Sequence, residues 1–136
     1  EENGGIFYAP HIPVRDGSMA SALITNILAK ANQPFSKLLS ALPSYQLAKE
    51  SVPCPNHLKK RVLDDLRDRT SRYNPETIDG VKIWFEDGTS LLVRPSGTEP
   101  IFRVFAEAKS ASAARDLADQ YKLILAEIIK EKDRGA

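Results

Sequence analysis

Within five consecutive positions, Arg94-Pro95-Ser96-Gly97-Thr98, the chain gathers a fixed cation, two hydroxyls and a glycine. An arginine presents a planar fork of N–H donors that matches two oxygens of a phosphate or carboxylate at once. Serine and threonine hydroxyls each donate a bond to a further oxygen. Gly97 permits positive φ, so that neighbouring backbone N–H groups can turn into one concavity, a nest for an anion. Pro95 has no N–H but stiffens the entry to the segment. The inventory is that of a phosphate cradle built without a P-loop lysine and without a helix N-terminus. Arg103 is a candidate second cation, provided that the chain reverses between it and Arg94. The same residue types also fit a decorated turn, in which the hydroxyls cap their own backbone and Arg94 pairs with Glu99. Glu99 favours that second reading, because a carboxylate beside an anion site is repulsive unless an arginine neutralises it.

The elements around the segment must supply that reversal. Val81, Ile83 and Phe85 alternate with Lys82, Trp84 and Glu86, the pattern of a half-buried strand. Asp87-Gly88 is a two-residue hairpin signal that returns the chain through TSLLVR. After RPSGTEP, IFRVFAEA makes a further strand. Ser110 caps a last helix whose buried face is Ala114, Leu117, Ala118, Tyr121, Ile124, Leu125 and Ile128. Upstream, Tyr45 to Val52 form a weak strand ended by Pro53-Cys54-Pro55, and Leu58, Val62 and Leu66 give residues 56 to 69 a helical stripe with a charged outer face. From about residue 42 the order is strand, helix, three strands, helix. This predicts an α+β fold, a four-stranded antiparallel sheet with two helices on one face.

Residues 1–41 read differently. GIFYA suits a buried strand, residues 9 to 17 a loop, and Ser18 to Lys30 a helix with one buried face and Asp16 as its N-cap. A short helix follows from Pro34 and is stopped by Pro43. One strand and two helices are too little for a domain, so this part is expected to be the strand-helix tail of a larger α/β domain. The chain opens on EENGG with no initiator Met, and a fragment is expected.

Composition narrows the function classes. The 136 residues are 42% hydrophobic and 27% charged, a soluble globular balance. A formal charge of +1 argues against a nucleic-acid binder or an anionic-membrane binder, both of which concentrate positive charge. No apolar run approaches the roughly 20 residues of a membrane helix. Cys54 is a single cysteine and cannot form an internal disulfide, which points to a reducing cytoplasm. His11 and His57 read as lone surface histidines, and Trp84 falls on the polar face of its strand.

RPSGTEP followed by IFRVFAEA resembles the phosphate-binding signature of the α-D-phosphohexomutases, which include phosphoglucomutases, phosphomannomutases and phosphoglucosamine mutases. EENGG followed by HIPVRDG is similar to the sugar-recognition loop of the same family, and DGVKIWFEDG also looks familial. These stretches are collinear and cover the whole chain. The resemblance implies that residues 1–41 end the third, sugar-binding domain and that residues 42–136 are the fourth, with a TATA-binding-protein-like fold. It implies that Arg94, Ser96, Gly97 and Thr98 hold the phosphate that is not being transferred, with Arg103 assisting and Glu99 orienting an arginine. Glu1 and Asn3 match positions that contact hexose hydroxyls, although the commonest bacterial loop has Ser in place of Asn3. A carboxylate accepting from vicinal hydroxyls, beside an amide that donates and accepts, is sensible chemistry for such a loop.

The resemblance also implies an intramolecular phosphotransferase that interconverts hexose 1-phosphate and hexose 6-phosphate through a hexose 1,6-bisphosphate. The family's phosphoserine loop and its aspartate-rich Mg²⁺ loop have no counterpart here, so no catalytic residue and no metal ligand are expected in this chain. The fragment alone is expected to be inactive. Its expected partners are a hexose phosphate and the preceding domains of the same cytoplasmic enzyme. From another class, the alternative is a non-catalytic TATA-binding-protein-like binding or interaction module.

Overall fold

The computed structural model describes residues 4–134, which fall into two compact units that divide between Pro43 and Ser44. In the first, β1 (Phe7–Tyr8) and β2 (Ile12–Arg15) form a small antiparallel ribbon, followed by α1 (Gly17–Ala31) and α2 (Phe35–Leu39). Asp16 caps α1 as expected, its Oδ1 accepting the Met19 N–H at 2.9 Å. That bond holds the Asp16 carboxyl below its ordinary range. Three expectations change. Residues 12–15 are a strand and not part of a loop, Phe7 and Tyr8 are exposed and not buried, and α2 ends at Leu39, short of Pro43. The apolar stripe of α1 also stays open at Ile24 and Ile27. His11 is not alone either, since its Nε2 lies 3.3 Å from Asp16 Oδ2.

The second unit carries β3 (Gln46–Pro53), a 3-10 turn, α3 (Lys59–Thr70), a second 3-10 turn, β4 (Val81–Trp84), β5 (Ser90–Pro95), β6 (Ile101–Ala108) and α4 (Ala111–Arg134). The sheet order is β3-β6-β5-β4, every neighbour antiparallel. The fold is the α+β arrangement the alternation predicted. Side chains alternate across each strand. Val81, Ile83, Leu91, Val93, Phe102 and Val104 point to one face, where they form a fully buried core with Leu58, Val62 and Leu66 below α3 and with Ala118, Leu125 and Ile128 of α4. Burying a side chain of this size contributes about 1.5–3 kcal/mol, so this layer dominates the unit's stability. The opposite face carries Lys82, Trp84, Leu92, Arg94, Arg103 and Phe105 and has neither helix of this unit on it. Trp84 is 55% exposed there, with Lys82 Nζ 4.1 Å from its ring centroid and Glu76 accepting its indole N–H.

Two local signals resolve into detail. Asp87-Gly88 does reverse the chain, but in a three-residue loop, Glu86 to Gly88. Phe85 N donates to Thr89 O, Gly88 N returns to Phe85 O, and Gly88 takes the left-handed φ of 83°. Ser110 caps α4, its Oγ accepting the Ala113 N–H. Ion pairs clasp α3 to α4: Asp65 holds Arg69 and Lys132, and Arg69 reaches Glu131. No helix of the described residues is long and apolar enough to cross a membrane.

Candidate functional site: the loop between β5 and β6

Arg94 is opposite Arg103 in the β5–β6 register, on the open face of the sheet. Directly opposed residues have Cβ atoms about 4.5–5.5 Å apart, where like charges destabilise the pairing. Each guanidinium is half-buried, and each has a carboxylate at hand. Arg94 Nη1 donates to Asp79 Oδ2 at 3.1 Å, and Arg103 Nη2 to Glu99 Oε2 at 2.6 Å. Glu99 therefore does not pair with Arg94, as one reading of the turn had it. It stands four residues before Arg103, in the loop two residues ahead of β6, whereas β4–β5 pairing brings Asp79 beside Arg94. Gly80 makes that approach possible, with φ of 142° and a built Cβ position 2.3 Å from Val93 O and 2.9 Å from Arg94 Cβ. Only a residue without a side chain fits there.

The loop itself is tied at several points. Ser96 N donates to Ile101 O at 2.9 Å, Ile101 N to Glu99 O at 2.8 Å, and Cys54 N to Pro100 O at 2.8 Å. Ser96 is buried, and its Oγ accepts the Glu99 N–H at 3.2 Å, leaving its own hydrogen free to donate. Lys59, the first residue of α3, donates to the carbonyls of both Ser96 and Glu99 at 2.6 Å. The amides of Gly97 and Thr98 have no hydrogen-bond partner among the described residues, and both residues are exposed. Gly97 does not use the positive φ expected of it, and a Cβ there would meet open space. What ties the loop here is Lys59 at the Ser96 and Glu99 carbonyls and not a left-handed residue.

Two arginines opposed in register, a buried hydroxyl and an exposed one, with two amides unpartnered among the described residues, are donor types that suit a compact, multiply charged oxyanion. Cys54, beneath the loop, is buried, and burial pushes its thiol pKa up, so it is a packed thiol and not a nucleophile. Among the described residues no three His, Cys, Asp or Glu side chains converge as metal ligands would.

Comparison with known proteins fits both units. Residues 50–123 match the family model described as phosphoglucomutase/phosphomannomutase, C-terminal domain, and residues 1–45 match phosphoglucomutase/phosphomannomutase, alpha/beta/alpha domain III. The chain belongs to the phosphoglucomutase/phosphomannomutase family. Among its relatives are a phosphoglucosamine/phosphogalactosamine mutase of Sulfurisphaera tokodaii, 42% identical over 92% of this chain and 28% of its own length, and a phosphoglucomutase/phosphomannomutase of Thermococcus kodakarensis, 40% identical over 96% and 28%. A probable phosphoglucosamine mutase of Methanopyrus kandleri is 39% identical over 85% of this chain and 26% of its own length. The chain thus spans about a quarter of each of these relatives.

For this member of the family, the structure brings Arg94, Arg103, Ser96, Gly97 and Thr98 to one strand connection. Glu1 and Asn3, the expected sugar contacts, lie outside the described residues. Sequence reasoning missed Lys59, Asp79 and Gly80. The pair Asp79-Gly80 just before a strand was the available signal, because a glycine at that point marks close backbone approach.

Proposed function

We propose that this chain is the C-terminal, substrate-binding part of a phosphohexomutase, and that the loop from Arg94 to Thr98, with Arg103, grips the phosphate that is not being transferred. The supporting observation is Arg94 set directly opposite Arg103 beside a loop with two unpartnered amides. Such a pair concentrates positive charge, offset by Asp79 and Glu99, and its guanidinium forks match the oxygens of a phosphate. The relatives' names differ in the sugar but share a phosphate moved on a sugar phosphate, and the phosphate is the group this loop suits.

In the full enzyme, a phosphoryl group would pass from a phosphoserine to the free hydroxyl of a hexose monophosphate. The resulting 1,6-bisphosphate would turn over and return its other phosphoryl group to the serine, releasing the isomeric monophosphate. Mg²⁺ would neutralise charge at the transferred group from ligands elsewhere in the protein. This chain's part is to neutralise and orient the distal phosphate in either half-reaction, since positioning and charge stabilisation supply most of the catalysis in phosphoryl transfer. Glu1 and Asn3 would meet the sugar hydroxyls. The reading as a non-catalytic binding module has no observation in its favour that the phosphate site does not share.

The test is calorimetric binding of glucose 6-phosphate and inorganic phosphate to the parent, Arg94→Lys and Arg94→Ala. Removing a charge-assisted bond costs about 1.5–3 kcal/mol, so Arg94→Ala should lose about ten- to a hundredfold in affinity for both ligands. Arg94→Lys should fall between, keeping the charge and losing the fork. The Arg94–Asp79 pair is solvent-exposed on the Asp79 side and adds at most about 1 kcal/mol to folding. A large loss of melting temperature with unchanged affinity would make the loop structural and the proposal wrong.

A further inference from the structure

We infer that Lys59 is the positioning residue of this anion loop: its ammonium pins two loop carbonyls on one side and so turns the Gly97 amide to the other, toward the phosphate. The inference rests on the phosphate reading of the loop. Lys59 is held firmly at its base, because it begins α3 directly after the fully buried Leu58, and Val62 and Leu66 fix the rest of the helix to the core. Its Nζ then spans to Ser96 O and Glu99 O, both at 2.6 Å.

Peptide geometry gives this clasp a direction. The Ser96 carbonyl and the Gly97 N–H belong to one planar trans unit and point oppositely. With the carbonyl drawn to Lys59, the Gly97 N–H faces away from it, and that amide has no partner among the described residues. The Glu99 carbonyl shares its peptide with Pro100, which has no N–H, so pinning it removes no donor from the nest. The ammonium also neutralises two carbonyl dipoles whose negative ends would otherwise be free to swing toward a bound anion. The other ties on the loop's backbone are backbone bonds with Cys54, just after β3, and with Ile101 of β6, and the Ser96 hydroxyl, which fix its ends and its internal turn. Lys59 sets which way the middle faces.

The test uses the whole chain with Lys59→Met, Lys59→Gln and Lys59→Arg, titrated with inorganic phosphate, alongside amide order parameters of Gly97 and Thr98 in phosphate-free protein. Lys59→Met and Lys59→Gln should bind phosphate at least about tenfold more weakly, and both order parameters should drop from about 0.85 to below about 0.6. Lys59→Arg should recover most of the affinity and the order. The inference is overturned if the uncharged variants bind within twofold of the parent. It is also overturned if affinity falls while the order parameters stay put, for Lys59 would then act as a charge alone. Arg94→Ala separates the two claims: if it weakens phosphate binding while Lys59→Met does not, only the role of Lys59 fails. If neither variant weakens it, the phosphate reading fails as well.

Discussion

Replacing Gly80 by alanine should damage the fold and the site together. Gly80 holds a φ of 142°, which a residue with a side chain adopts at a cost of about 1–3 kcal/mol. Strain is the smaller part. The new methyl would sit 2.3 Å from Val93 O, a backbone atom in the middle of a sheet, and 2.9 Å from Arg94 Cβ. Val93 cannot retreat, because its side chain is fully buried and its strand is paired on both sides. The start of β4 must therefore lift from β5. Adding loss of that local pairing brings the total to about 2–4 kcal/mol. For a domain of this size each kcal/mol moves the midpoint by about 4–8 °C, so the melting temperature should fall by roughly 10 °C or more. Circular dichroism melts of the parent and variant measure this directly. Below the midpoint, phosphate affinity should also fall, because the displaced atoms carry Arg94 and its Asp79 partner. A Gly80→Ala protein melting within about 2 °C of the parent would refute the close approach on which this reasoning depends.

Gly97→Ala should behave in the opposite way: its φ is not positive and its Cβ position is open, so folding should be unchanged or up to about 1 kcal/mol more stable, while on the phosphate proposal affinity should drop because the methyl crowds the amide offered to the anion. Asp65 offers a pH test. Burial works against its charge, but hydrogen bonds from Lys132 and Arg69 outweigh burial and leave its carboxyl below the usual range. Its stabilisation is therefore in full force above the unfolded value near 3.9 and is lost as pH falls through the lower folded value. Asp65→Asn should lower the melting temperature at neutral pH, and the gap from the parent should close as the pH drops below about 4.

Much of the second unit was legible in its local patterns. Period-two alternation at Val81, Ile83 and Leu91, Val93 and helical spacing at Leu58, Val62, Leu66 each report one neighbour layer, and one layer is all that a half-buried sheet requires. Arg94, Ser96 and Thr98 were legible as a donor cluster because their types are unusual for a turn. What joins them was not. The bonds from Lys59 to Ser96 and Glu99 cross 37 and 40 residues, and no spacing rule reaches that far. The choice of Asp79 over Glu99 as the partner of Arg94 depends on strand register, which the β4–β5 pairing sets. Gly97 looked like a left-handed position because glycine permits that conformation, yet permission is not use. The first unit was harder still, since the spacing in α1 marks an apolar stripe without saying what lies against it.

The central claim is that the connection between β5 and β6 binds phosphate through Arg94 and the amides of Gly97 and Thr98. Titrating the ¹⁵N-labelled chain with inorganic phosphate, at ionic strength held constant with chloride, tests it most directly. The account predicts saturable shifts that are largest at the Gly97 and Thr98 amides and the Arg94 Nε–H and absent in Arg94→Ala. Saturable shifts that centre elsewhere, or none in residues 94–98 at phosphate concentrations well above those in cells, would contradict it.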